Sequence, residues 1–223
     1  MEIIPGVYQQ KNAIVNWYLI VEDQNITMVD AGVRSTYRQV TNLIHSLGRR
    51  VTDLSRILLT HADLDHVGAA QALKQASGAK VFASQIAAQA LAAGHSSRTL
   101  KMGILTPLFS RVERLNGSMQ VEVDEILSDG QILPVLGGLK VIKTPGHTPC
   151  HLSYFSLEYQ LLFAGDAVRN QPDAVGYNQS KLTNWDHQVM RQSVKMLADL
   201  RPEIVACGHG PVVFNAREKF PQS

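Results

Sequence analysis

Between Thr60 and Gly68 the chain reads Thr-His-Ala-Asp-Leu-Asp-His-Val-Gly, which places four potential metal ligands, His61, Asp63, Asp65 and His66, within six residues. Imidazole and carboxylate are the donors that hold first-row divalent cations. An ion held this way, with a coordination place left open, can activate water for attack on a carbonyl or phosphorus centre. Three later fragments add what a single loop lacks: Thr144-Pro145-Gly146-His147, Phe163-Ala164-Gly165-Asp166 and Cys207-Gly208-His209-Gly210-Pro211. Each follows an apolar, strand-like run, so His147, Asp166 and His209 should emerge with the first cluster at one rim of two facing sheets.

The elements that must position these residues can be read along the chain. Ala13 to Val21 is rich in β-formers, and after the polar turn Glu22-Asp23-Gln24-Asn25 comes Ile26 to Val29, which predicts a hairpin ending at Asp30. Ser35 can cap a helix with Val40, Leu43, Ile44 and Leu47 on one face, closed by Gly48. Residues 56 to 60 form a short buried strand that delivers the ligand loop, and the helix after it carries Val67, Ala70 and Leu73 and stops near Gly78. Beyond the strand Ala79 to Ala83, residues 84 to 118 read as a helical insertion. An alanine-rich stretch runs to Gly94, and a second segment with Leu100, Ile104, Leu105, Leu108 and Phe109 is broken by Pro107. Its surplus of apolar residues suits a cover for the pocket, or a subunit contact in a homodimer. Strands at 121–127, 131–135, 139–143, 152–156 and 160–164 are separated by close turns, as in antiparallel meanders. A loop rich in Asn, Gln, Pro and Gly follows, then a helix that Asn184 can cap, with Met190, Val194, Leu197 and Leu200 inward. Glu203 to Ala206 is the last strand and delivers His209. Nothing in the composition divides the chain, so residues 1–223 are read as a single domain.

In this order and spacing the four fragments resemble the metallo-β-lactamase-fold hydrolases, over nearly the whole chain. The resemblance implies an α/β fold, a four-layer αββα sandwich, with the helical segment at 84–118 as an insertion. Carried over by position, it implies His61, Asp63 and His147 on one metal, Asp65, His66 and His209 on a second, and Asp166 between them. It implies two divalent ions, Zn²⁺ foremost, with Mn²⁺ or Fe²⁺ as alternatives. The nucleophile is then a hydroxide bridging the ions, with Asp65 as the catalytic group that orients it and carries its proton. At Asp63 the chain departs from the family, which usually has a second histidine there. An aspartate Oδ lies as many bonds from Cα as the imidazole Nδ1 by which that histidine binds, so the donor keeps its reach. The extra anion makes the ions weaker Lewis acids and favours harder ones such as Mn²⁺ or Fe²⁺. Asp30 corresponds to an aspartate that supports the site, with turn capping as the alternative. His151 is a second supporting candidate, and Arg169, Tyr177 and Asn178 are candidate substrate contacts. Cys150 and Cys207 read as packed thiols, and His45, His95 and His187 as solvent-facing.

Composition narrows the functional class. A formal net charge of +2, with no run of Lys or Arg, gives no reason to expect nucleic acid or an anionic membrane as partner. No apolar stretch reaches membrane-spanning length, and Met1 to Gly6 lacks the basic-then-apolar order of an export signal. With two cysteines and no disulfide framework, the expected location is cytoplasmic and the expected partner a small-molecule substrate. The leading expectation is therefore a hydrolase of an ester, thioester or lactone-like small molecule. Named relatives each meet an objection. A glyoxalase-II-type thioesterase usually has a further C-terminal helical domain, an acyl-homoserine lactonase has tyrosine where Arg169 stands, and a secreted β-lactamase needs an export signal. The alternatives of other classes are a mononuclear iron sulfur dioxygenase-like oxidoreductase and a non-catalytic metal-binding protein.

Overall fold

The computed structural model describes residues 1–12, 15–97, 119–177 and 183–220. Among them a first sheet runs in the order β1 (Glu2–Ile4), β2 (Val7–Lys11), β3 (Asn16–Val21), β4 (Ile26–Val29), β5 (Leu54–Leu58), β6 (Lys80–Ala83), β7 (Glu125–Ile126). Pairing is antiparallel from β1 to β4 and parallel from β4 to β7. A second sheet runs β8 (Ile132–Leu133), β9 (Leu139–Lys143), β10 (Leu152–Ser156), β11 (Leu161–Gly165), β14 (Ile204–Cys207), β15 (Val213–Phe214). Only β11 and β14 are parallel within it. A separate hairpin pairs β12 (Val168–Gln171) with β13 (Ala174–Tyr177). The helices are α1 (Thr36–Ser46), α2 (Leu64–Val67), α3 (Ala70–Ser77), α4 (Gln85–Ala92) and α5 (His187–Asp199).

Successive strand residues point to opposite faces, and here both faces are buried. Tyr18, Ile20 and Leu58 of the first sheet meet Val141, Tyr154 and Phe163 of the second in the inner core. Their neighbours Trp17, Leu19 and Ile57 face outward onto Val40 and Ile44 of α1 and Leu73 of α3. On the far side, Phe155, Leu162 and Val205 meet Met190, Val194 and Leu197 of α5. The layers are therefore α, β, β, α, as expected.

The topology brings strand ends to one rim. β4 and β5 run parallel, as do β11 and β14, and β9 points the same way as β11 because both are antiparallel to β10. The rim is stitched across the sheets: Leu152 N–H donates to Thr60 O (2.8 Å), Tyr154 Oη–H to Leu59 O (2.7 Å) and Tyr18 Oη–H to Cys207 O (2.6 Å). Asn16 Nδ2 donates to Cys207 O (2.9 Å) and Gly210 O (2.7 Å), which ties the last loop to β3. Tyr154 and its partner carbonyl are buried, so Tyr154→Phe should destabilise the protein by about 1–3 kcal/mol in denaturant unfolding, since the carbonyl keeps its desolvation penalty. An unchanged unfolding midpoint would show that this bond contributes nothing.

Several expectations are corrected. Of the strand read from Ala13, residues 13 and 14 lie outside the described residues and Asn16–Val21 is strand, with β1 and β2 preceding it. The run 121–127 contributes only Glu125–Ile126, which pairs parallel to β6 in the first sheet and takes no part in the meander. Just before it, the Asp124 carboxylate accepts Val81 N–H (2.8 Å), a donor that a strand carbonyl would otherwise take. The strand at 131–135 shrinks to Ile132–Leu133. The polar loop after Asp166 contains the β12–β13 hairpin, turned at Pro172-Asp173. α5 is capped by Asp186, whose Oδ1 accepts Gln188 N–H (2.8 Å) and Val189 N–H (3.0 Å), and Asn184 has another task. Ser84 caps α4, the first part of the helical insertion, while the segment from Leu100 to Phe109 lies outside the described residues. Among the described residues no helix is long and apolar enough to cross a membrane.

Candidate metal centre

Asp30 follows β4 with φ 55°, a left-handed conformation that costs a non-glycine residue on the order of 1–3 kcal/mol. That turn aims its buried carboxylate at the next strand end. Asp30 Oδ1 accepts Thr60 N–H (2.8 Å), Oδ2 accepts Thr60 Oγ1–H (2.8 Å), and Oδ2 also meets His66 Nδ1 (2.8 Å). With its proton directed to Asp30, Thr60 Oγ1 can accept from His61 Nδ1–H at 2.9 Å. This chain of bonds fixes both tautomers, so His61 and His66 present Nε2 to the same space. Support of the site, the first reading of Asp30, is the one the geometry matches.

The other ligand candidates arrive from the second sheet. His147 Nδ1 bonds Asn184 Oδ1 (3.0 Å), which turns its Nε2 inward, and its loop is held to the start of α5 by Trp185 N–H to His147 O (3.0 Å). Asp166 follows β11, and its backbone N–H donates to His151 Nε2 (2.9 Å). Burial, with the neighbouring His61 and His147, holds His151 well below the usual histidine range, so this nitrogen is a reliable acceptor. His151 Nδ1 is held in turn by Thr144 Oγ1 (2.8 Å).

These atoms form two adjoining groups. One is His61, His147 and Asp166 and the other Asp65, His66 and His209, with the donor atoms of each group within 4.8 Å of one another. Asp166 touches both: Oδ2 lies 3.5 Å from His147 Nε2 and 3.3 Å from His209 Nε2, and Oδ1 lies 3.4 Å from His66 Nε2. Asp63 Oδ2 lies 3.5 Å from His61 Nε2 and 3.4 Å from His147 Nε2. Asp65 Oδ2 lies 3.4 Å from His209 Nε2, and this pair is the open side, with side chains 30% and 22% exposed. All seven ligand candidates are thus brought together.

Three atoms test whether cations fit. His61 Nε2, His66 Nε2 and Asp166 Oδ1 are buried and make no hydrogen bond, with the ion-pair contacts at 3.4 and 3.5 Å given above, and such poorly satisfied groups are costly to bury. Divalent ions would satisfy all three, and the donor set of imidazoles and carboxylates suits them. The field has the required sign. Burial lowers His66, but Asp30, Asp166 and Asp65 outweigh it and push it up to about 10. Burial likewise lowers His209, and its bonds to Asp166 and Asp65 push it up to about 11. Asp166 is raised by burial yet held well below the carboxylate range by the charge on His66 and the bond from His209.

The remaining candidates sort themselves. Arg169 is exposed on β12, and Asn178 lies outside the described residues. Tyr177 ends β13, with its backbone paired to Val168. His45 and His95 are exposed, as read, whereas His187 is half-buried with an unpartnered buried Nε2. Cys150 and Cys207 are buried thiols; burial pushes both up, Cys207 to about 12, so neither is a ready nucleophile. Thr60 and Asn184 were missed as supports. Thr60 could have been suspected from its place beside His61; Asn184 carried only the signal of a helix cap.

Comparison with known proteins agrees with this geometry. The profile of the Metallo-beta-lactamase superfamily matches residues 12–209. The Bacillus subtilis (strain 168) protein YobT is 30% identical over 94% of this chain and 88% of its own length. Hydroxyacylglutathione hydrolase GloC of Haemophilus influenzae is 26% identical over 98% of this chain and 94% of its own. The crystal structure of a metallo-beta-lactamase family protein from Thermus thermophilus superposes with a TM-score of 0.74 at 23% identity, covering 97% of this chain and 77% of that one. The chain spans GloC almost end to end, but only 56% of a hydroxyacylglutathione hydrolase of Cereibacter sphaeroides that is 31% identical over 78% of this chain.

Proposed function

Because this chain belongs to the metallo-β-lactamase superfamily and has its fold, we propose that it is a metal-dependent hydrolase of a small ester, thioester or lactone, holding two divalent ions, Zn²⁺ foremost. The observation that carries the reading is the set of three buried atoms without a hydrogen bond, His61 Nε2, His66 Nε2 and Asp166 Oδ1, gathered among seven His and Asp side chains of the kind that could hold metal. His61, Asp63 and His147 would hold one ion, Asp65, His66 and His209 the other, with Asp166 shared. Ions bound there supply the charge that acidifies a water and stabilises an oxyanion. The chain's own groups do the rest. Asp30 and Thr60 keep the Nε2 atoms of His61 and His66 aimed inward, and Asn184 does so for His147. Burial raises Asp65, but the neighbouring charge on His66 and the bond from His209 hold it below the usual carboxylate range. On the open side, ionised, it is placed to orient the attacking water and pass its proton to solvent. The similarity to a protein named hydroxyacylglutathione hydrolase favours a thioester within this class.

The test is hydrolysis of thioester, lactone and carboxylic ester panels by protein whose metal content has been measured, with a phosphodiester as contrast. Turnover on none of the first three by fully loaded protein would end the proposal. Thr60→Val should weaken metal binding by about 10–100-fold, as loss of an orienting partner does, without removing a donor. Competition with a chromophoric chelator measures this, and unchanged affinity would show that Asp30 and Thr60 do not tune the centre.

A further inference from the structure

We propose that Ser96 is a positioning residue that makes Asp63 a one-oxygen donor to the His61–His147 side of the centre, a role that rests on the metal-dependent reading above. Asp63 stands at the N-cap of α2, where an aspartate normally accepts a backbone N–H of the first turn, yet its side chain makes no cap bond. The carboxylate turns to the site instead. Its Oδ2 faces His61 Nε2 and His147 Nε2 at 3.5 and 3.4 Å, and Ser96 Oγ–H donates to Oδ1 at 2.6 Å. At 2.6 Å it has the length of a hydroxyl-to-carboxylate bond. With Oδ1 accepting from Ser96, Oδ2 is the oxygen turned to His61 and His147.

Ser96 follows α4, so the polypeptide leaving that helix is bound into the centre. The next residue anchors it: Ser97 Oγ–H donates to Cys150 Sγ at 2.9 Å, beside the loop that carries His147. Two consecutive serines thus grip Asp63 on one side and the His147 loop on the other.

The experiment is titration of metal-free parent, S96A, S96T and D63A with Co²⁺, followed by visible absorption and by bound metal per chain. The parent should take up two ions. S96A should keep one within about twofold and hold the other about 10–100-fold more weakly, with an altered visible band. S96T, which keeps the hydroxyl, should match the parent, and D63A should lose the ion that S96A weakens. A parent-like S96A in both affinity and spectrum overturns the role of Ser96 alone. Equal weakening of both ions also overturns it, because the effect is then not on Asp63. Uptake of fewer than two ions by the parent overturns the two-ion reading beneath it.

Discussion

An Asp166→Ala protein folds as the parent does and loses hydrolytic activity by about a thousandfold or more. Among the ligand candidates it is Asp166 whose carboxylate reaches both groups, with Oδ2 beside His147 and His209 and Oδ1 beside His66. Removing it leaves each group a donor short and leaves the site one negative charge short. Several kcal/mol of transition-state stabilisation by bound ions corresponds to about three powers of ten in rate. The fold should survive because the bond that holds this loop comes from the Asp166 backbone N–H to His151, which alanine keeps. Asp166→Asn, with the same shape and no charge, should fall between parent and alanine. The measurements are kcat/KM on whichever ester-type substrate the parent turns over and metal per chain by elemental analysis. Retention of a tenth of the parent activity by the alanine variant would remove Asp166 from the centre.

Gly208→Ala should be nearly as damaging, although it adds only a methyl. A Cβ at this position would overlap Asp166 Oδ1 and stand 2.6 Å from His66 Cε1. Neither the His66 ring nor the backbone of residue 208 is free to relieve the crowding. The His66 ring is pinned through Nδ1 by Asp30, and the peptide of residue 208 is held by Gly208 N–H to Gly165 O (2.9 Å) and Asn16 N–H to Gly208 O (2.8 Å). The variant must therefore displace donors from the centre, and metal affinity and activity should each fall by about a hundredfold or more, the scale seen when groups orienting a metal are disturbed. Overpacking should cost a further 1–3 kcal/mol, roughly, of stability. Gly146→Ala is the contrasting control. There the added methyl would overlap the backbone of Met190 in α5, so stability should drop first and metal binding only in consequence. Equal metal binding by Gly208→Ala and the parent would mean that the centre tolerates movement of Asp166 or His66.

The ligand candidates were legible because each of the four fragments that carry them follows an apolar, strand-like run, and the order of layers came with the resemblance those fragments carry. The groups that aim those ligands were harder to read. Thr60 links His61 to Asp30, Asn184 holds His147 and Ser96 holds Asp63, and each of these links depends on packing between elements distant in sequence. Asn184 had a competing local reading as a helix cap, and Asp186, two residues on, took that place. β2 was missed because Val7-Tyr8-Gln9-Gln10-Lys11 lies toward a sheet edge, where polar side chains are tolerated and apolar alternation is weak. Tyr18 and Asn16, which join the sheets at the rim, looked like ordinary strand residues. Their partners are carbonyls, which no side-chain pattern announces.

That join gives the centre a place in time as well as in space. Asn16 binds Cys207 O across 191 positions of the chain, and β14 enters the second sheet only by pairing with β11. Contacts so distant in sequence must bear their loop-closure entropy before they return any stabilisation, and chains dominated by them fold slowly. During synthesis, a ribosome-bound chain that has exposed residues up to Asp166 already offers His61, Asp63, Asp65, His66 and His147, yet lacks the strand that seats His209 and clamps the rim. Completion of the group formed by Asp65, His66 and His209 is then a late event, finished only after the C-terminal strands have left the ribosome.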